Sequence, residues 1–256
     1  MGKYVIDETT LRDIADEIRE QTGLQEEIAP VDMPTKIELV RSIGYEDGQK
    51  AEYDALWDNV KNTSTRIGEF AGRTWTDARF KPREPLTITG NVNYCFLNTG
   101  IQNLCKCIED AGVEVKFENI SGANQLFRYA PITHLPTIGF SSTLSNLEYT
   151  FNSCSKLQSI EKIIVGENTG YSATFTGCSA LEHIIFEGVI GKAISFSDSP
   201  LLDDESRQSI IDHLKDLTGA TAQTLTFHAT VGGKLTQAQK DAIFAKNWTL
   251  VIKEES

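Results

Sequence analysis

Apolar positions in this chain follow two different periods. Over roughly the first sixty residues they recur every three or four positions. Leu11, Ile14, Ala15 and Ile18 form one stripe in TLRDIADEIREQTG, VDMPTKIELVRSIG carries a second, and Tyr53, Leu56, Trp57 and Val60 form a third. This is helical spacing, and it predicts helices over about 9–22, 33–43 and 47–61. Thr10 with Asp13 and then Gly23 bound the first helix, and Asp32 and Gly44 bound the second. Three short stripes bury too little to make a robust solitary domain, so residues 1–62 are expected to self-associate or to dock on a partner. The stretch TRIGEFAGRTWTDARFKPREP reads as loop, with Phe70, Trp75 and Phe80 available to plug the open end of the next domain. The boundary is expected in this stretch, with 63–90 a linker and N-terminal cap.

From about residue 91 the period lengthens. YTFNSCSKLQSI at 149–160 is echoed by ATFTGCSALEHI at 173–184, with Thr, Phe, Cys, Ser, Leu and Ile in the same places 24 residues later. A fixed period of that size marks a repeat architecture. Weaker copies surround the pair: Phe96, Ile101 and Leu104; Phe127, Ile132 and Leu135; Phe196 and Leu201. In these three the aliphatic follows Phe by five residues rather than six. Each unit is half a core, an aromatic and a few aliphatics with no cover of their own, and stacking covers each with its neighbour. Phe96, Phe127, Phe151, Cys154, Leu157, Phe175, Cys178, Leu181 and Phe196 are the expected repeat core, each large side chain contributing about 1.5–3 kcal/mol on burial. NSCS and TGCS are turn chemistry, and 113–120, 160–165 and 184–190 read as short strands between turns.

The pattern alters from about residue 199 to the end of the sequence. SPLLDDESRQSIIDHLKDLTG predicts a helix capped by Asp203 or Asp204, with Ile210, Ile211, Leu214 and Leu217 on one face and Gly219 as its stop. QTLTFH alternates as a strand with Leu225 and Phe227 inward. TQAQKDAIFAKN predicts a second helix behind a Thr236/Gln239 capping box, and WTLVI a closing strand with Trp248, Leu250 and Ile252 on one side. The fold class expected is α+β: a solenoid of short strands over 91–256, with a helix-bearing C-terminal cap from about 201 that blunts an open strand edge, behind a small all-helical N-terminal region.

Composition narrows the function. A net charge of −12 with no Lys/Arg cluster argues against nucleic-acid and anionic-membrane partners. No apolar run is long enough for a transmembrane helix, and MGKYVIDETTLRDIADEIRE has neither a secretory h-region nor a myristoylation pattern. The five cysteines lack metal-ligand spacing and read as small buried thiols. The four histidines are scattered, and Asp203-Asp204-Glu205 is best explained as helix capping. No P-loop, GxSxG or dinucleotide fingerprint is present, so no catalytic residue, metal or cofactor is expected. Polysaccharide hydrolysis would need two carboxylates about 5–10 Å apart in a groove. The residues between inward aliphatics should align across repeats as a polar ladder of Thr133 and His134, Gln158 and Ser159, Glu182 and His183, the candidate ligand contacts.

Phe151, Cys154, Leu157 and Ile160, with Phe175, Cys178, Leu181 and Ile184, resemble the F-x-x-C-x-x-L-x-x-I unit of BspA-type leucine-rich repeats. That resemblance extends in degenerate form over about 91–200 and implies a leucine-rich-repeat solenoid with an exposed binding face. YVIDETTLRDIADEIREQTG, IAPVDMPTKI and GYEDGQKAEYDALWDNVKN are similar to the leaders of phage and prophage structural proteins of Gram-positive bacteria. Together they imply a non-enzymatic virion component, tail-associated or surface-exposed, assembled in the bacterial cytoplasm. It would join itself, as a trimer, or other virion proteins through 1–62, and bind a host-surface polysaccharide or protein. The alternative is a cellular bacterial leucine-rich-repeat adhesion module, cytoplasmic or displayed at the cell surface.

Overall fold

The computed structural model describes residues 85–253; the helices expected at 9–22, 33–43 and 47–61, and the loop carrying Phe70, Trp75 and Phe80, lie outside the described residues. Nine strands are present among the described residues: β1 (Leu86–Asn91), β2 (Val115–Gly122), β3 (His134–Leu135), β4 (Ile138–Phe140), β5 (Ser159–Val165), β6 (His183–Gly188), β7 (Ile194–Phe196), β8 (Gln223–His228) and β9 (Trp248–Lys253). The helices there are α1 (Leu104–Ala111), α2 (Asp204–Asp212), the single turn α3 (Ala229–Gly232) and α4 (Gln237–Ala245). The described part is mixed α and β, a curled sheet with few helices. Each of these strand pairings is parallel.

In the larger sheet β1 pairs β2, β2 pairs β4, and β5 pairs β3 with its first residues and β4 with its later ones before pairing β6. This register lines Ile88, Phe117, Ile138, Ile163 and Phe186 in one inward column, all buried. A second sheet joins β7, β8 and β9, with Ile194, Leu225 and Leu250 in register.

A second column runs through the turns. Phe96, Phe127, Phe151, Phe175, Phe196 and Phe227 stack ring over ring, with successive centroids 5.2, 5.7, 5.5, 4.7 and 6.1 Å apart. Offset stacking of this kind adds about 0.5–1.5 kcal/mol per pair beyond area burial. The expected core residues Phe96, Phe127, Phe151, Cys154, Leu157, Phe175, Cys178, Leu181 and Phe196 are all buried. The Cys154 and Cys178 thiols donate to the carbonyls of Phe127 and Phe151, one turn back, at 2.9 and 3.1 Å. Cysteine fits because it is small, apolar and still able to satisfy an inward carbonyl.

Four of these turns share one backbone plan. Tyr94 and Asn98, Gln125 and Tyr129, Tyr149 and Ser153, Ala173 and Gly177 are left-handed, four residues apart in each turn. Within a turn every second N–H bonds three residues back, as Leu126 does to Ala123 and Arg128 to Gln125. The N–H groups between them bond the next turn: Phe127 to Thr150, Tyr129 to Asn152, Tyr149 to Ser172, Phe151 to Thr174. Left-handed geometry thus lets an irregular segment satisfy its buried amides by stacking, which offsets its conformational cost.

Several elements depart from the sequence reading. Leu201 is exposed and Leu202 is buried instead, so this repeat keeps the six-residue gap of Phe151 to Leu157. The helix expected to reach Gly219 stops at Asp212. Leu214 and Leu217 are buried all the same, but the Ile190 N–H takes the His213 carbonyl and Lys215 N–H takes that of Ile190. Those groups serve the neighbouring coil and cannot also serve a helix. Helix α1 has no counterpart in the sequence reading; Asn103 caps it and Gly112, left-handed at φ 66°, ends it. The strands expected at 113–120, 160–165 and 184–190 are β2, β5 and β6. Asp203, not Asp204, caps α2, accepting from Ser206 N–H. Thr236 and Gln239 form the expected capping box of α4. In β9, the sheet edge, Trp248 is buried but Ile252 is exposed, although its side chain lies against Gly232 of α3.

Candidate functional site

The six residues expected to form a polar ladder are brought together by the parallel register. His134 pairs Ser159, and Ser159 pairs His183. Backbone bonds carry the neighbouring column: Gln158 N–H donates to Thr133 O at 2.8 Å and Glu182 N–H to Gln158 O at 2.9 Å. Leu135, Ile160 and Ile184, the next residues along, turn inward and are buried, which fixes the alternation that sends the polar residues outward. Gln158 and Glu182 are exposed; Thr133, His134, Ser159 and His183 are half-buried.

The ladder is longer than the sequence indicates. Asn103 bridges to His134 in parallel, and Thr133 N–H donates to the Gln102 carbonyl at 2.6 Å, so Gln102 and Asn103 form a rung before Thr133. At the other end Asp203 N–H donates to Glu182 O at 2.8 Å. The only sequence signal for these rungs is position: Asn103 lies seven residues after Phe96, as His134 does after Phe127.

Side chains along the ladder hold one another. The His134 ring Nδ1 lies 2.9 Å from the Thr133 hydroxyl, and that hydroxyl donates to the Gln102 carbonyl at 2.8 Å. His183 Nδ1–H donates to the Asp203 carboxylate at 2.7 Å. Burial works to raise the Asp203 carboxyl, but hydrogen bonds from Ser206 and His183 outweigh it and hold the group below the ordinary carboxylate range. The result is a strip of five rungs, Gln102/Asn103, Thr133/His134, Gln158/Ser159, Glu182/His183 and Asp203, that presents imidazole, hydroxyl, carboxamide and carboxylate groups. Such a strip offers donors and acceptors in fixed positions over an aliphatic floor, and its half-buried members lose little freedom on binding.

Among the described residues no group of three or more His, Cys, Asp or Glu side chains is placed to hold a metal ion, and no helix is long and apolar enough to cross a membrane. No family model, curated protein or solved structure matches the chain.

Proposed function

We propose that this chain is a non-enzymatic virion component, tail-associated or otherwise surface-exposed, that binds a polymer or protein on a host surface. In this reading residues 91–256 form a leucine-rich-repeat solenoid with a helix-bearing C-terminal cap, and residues 1–62 attach it to the particle. The observation that carries the reading is the in-register polar strip from Gln102 to Asp203. A stack whose inward residues form the core and whose outward residues repeat coil by coil is suited to an extended ligand, with each contact individually weak and several used together. The resemblance of the N-terminal segments to phage structural leaders supplies the cellular setting, with assembly in the bacterial cytoplasm.

The test compares sedimentation of the full-length chain with isolated Gram-positive cell walls for the parent and a Gln158→Ala/Glu182→Ala/His183→Ala variant. Wall binding by the parent and its loss in the folded variant is expected. No wall binding by the parent would remove the host-surface reading. Light scattering tests attachment: an oligomer, expected as a trimer, that becomes monomeric on deleting residues 1–62 supports the assigned division of labour.

A further inference from the structure

The turn face carries a second set of side chains that neither the core nor the strand-face strip explains. Three of its eight left-handed positions hold tyrosine: Tyr94, Tyr129 and Tyr149, at φ 64°, 60° and 55°. Left-handed backbone costs a bulky residue about 1–2 kcal/mol relative to glycine; in the last of these turns Gly177 takes the place of Tyr129, and Ala173 that of Tyr94 and Tyr149. Tyr94 and Tyr129 are 43% and 51% exposed, so burial does not offset that cost, and Arg128 contacts the rings of Tyr129 and Tyr149 while leaving Tyr129 largely open to solvent. Retaining three strained tyrosines at the surface is accounted for if the rings themselves make contacts.

The turn-to-turn bonds fix where the rings stand. Tyr94 N–H donates to Asn124 O, Gln125 N–H to Glu148 O and Tyr149 N–H to Ser172 O, placing Tyr94, Gln125 and Tyr149 in one column on successive turns. Asn98 N–H donates to Arg128 O, and Tyr129 N–H to Asn152 O, which places Tyr129 in the adjacent column. Neighbouring turns are about 5 Å apart, so Tyr94 and Tyr149 are separated by about 10 Å, a gap that a short oligosaccharide bridges.

Arg128 locks part of this surface. Its guanidinium carbon lies 4.6 Å from the Tyr129 ring centroid and 4.9 Å from that of Tyr149. Its donors go to Gln125 Oε1 at 2.9 Å, Asn152 Oδ1 at 3.1 Å and the Tyr129 hydroxyl at 2.8 Å. The cation is therefore engaged in holding rings and carboxamides in place, and Glu148 nearby in the same turns accepts from Asn124 at 3.3 Å. What remains outward is aromatic surface edged with amide groups and without a surplus of charge. That chemistry suits the C–H faces and hydroxyls of a neutral sugar; a polyanion would need concentrated positive charge, which a chain of net charge −12 does not offer.

We propose that this turn face, centred on Tyr94, Tyr129 and Tyr149, is a binding site for a neutral glycan chain lying across successive turns. The proposal rests on the host-surface reading above and adds to its strand-face strip a second contact surface, for a ligand of stated chemical class. Affinity electrophoresis of the full-length chain through gels containing dextran, laminarin or soluble chitin oligomers tests it. The parent is expected to be retarded by at least one of them. A Tyr94→Gly/Tyr129→Gly/Tyr149→Gly variant keeps the backbone geometry without strain, so it should fold and yet bind at least about tenfold more weakly, from the loss of three ring contacts. The matching triple asparagine variant, also tolerant of left-handed backbone, should behave alike. No retardation of the parent in any gel overturns the proposal. So does equal retardation of both folded variants, or a parent that binds poly-L-proline at this face and none of the glycans. The cell-wall sedimentation separates the two readings: a parent that binds walls while failing with every neutral glycan loses this site but retains the host-surface role.

Discussion

Phe151 and Phe175, 24 residues apart in sequence, lie ring over ring with centroids 5.5 Å apart and planes 13° from parallel. Phe175 also stacks on Phe196 at 4.7 Å, so it is covered on both faces. Phe175→Ala removes the middle of three consecutive rings and leaves a cavity that a stacked backbone cannot close. It should cost about 3–5 kcal/mol in urea denaturation, with Phe175→Leu costing distinctly less. An alanine variant with the parent's midpoint would mean that the ring column carries no stability.

Glycine is required at some positions of the stack for space and at others only for conformation. Gly188 has φ 92°, and a Cβ there would be driven into the Val165 carbonyl of the neighbouring coil. Gly112, at φ 66°, has open space around it. Gly112→Ala should therefore cost about 1 kcal/mol from backbone strain alone. Gly188→Ala adds a backbone collision and should cost at least about twice that. Equal thermal shifts for the two variants would contradict the close approach.

The His183–Asp203 pair gives a pH dependence of fixed sign. The Asp203 carboxyl is held below its ordinary value, so the stability it confers is full above the unfolded value near about 3.9 and is lost as pH falls through the lower folded value. Asp203→Asn keeps a competent helix cap while removing the charge facing His183. Because the pair is partly exposed, the variant should lose only a few tenths to about 1 kcal/mol at about pH 6. That difference should shrink as both proteins are titrated below about pH 4. A gap that instead widens in acid would reverse the assigned direction.

The thiols should be inert while the chain is folded. Burial pushes Cys154 up to about 12, and burial followed by the nearby Glu161 charge does the same to Cys105. Burial raises Cys95 and Cys178 as well. At about pH 8 a thiol with a pKa near 12 is thiolate only to about one part in ten thousand. Ellman's reagent should find no fast-reacting thiol in the native chain and all five cysteines after unfolding. One thiol reacting at the rate of free cysteine would contradict this.

The content of the core and the places where it is capped are legible in the residues alone. Phe151, Cys154 and Leu157, repeated as Phe175, Cys178 and Leu181, are recognisable as inward because burial is set locally by side-chain type and by a turn every 24 residues. Asp203 and the Thr236/Gln239 box are legible because a cap needs only residues within one turn. The strand-face residues His134, Ser159 and His183 are legible as positions between aliphatics, and the register that joins them follows from the repeat.

The partner that each backbone group takes is settled only in three dimensions. Helix α2 ends before Leu214 because Ile190, from the preceding coil, claims the carbonyl of His213. Leu202 rather than Leu201 faces inward because Ser199 N–H bonds Phe196 O and its hydroxyl bonds Cys178 O, setting the phase of that turn. The left-handed tyrosines are hidden from the sequence for the same reason: nothing local favours a tyrosine at positive φ, and the hydrogen bonds from Tyr94, Tyr129 and Tyr149 N–H to the next turn are with partners distant in sequence. Side-chain character is written residue by residue, whereas the destination of an amide proton in this stack depends on a neighbour one coil away in space and some two dozen residues away in sequence.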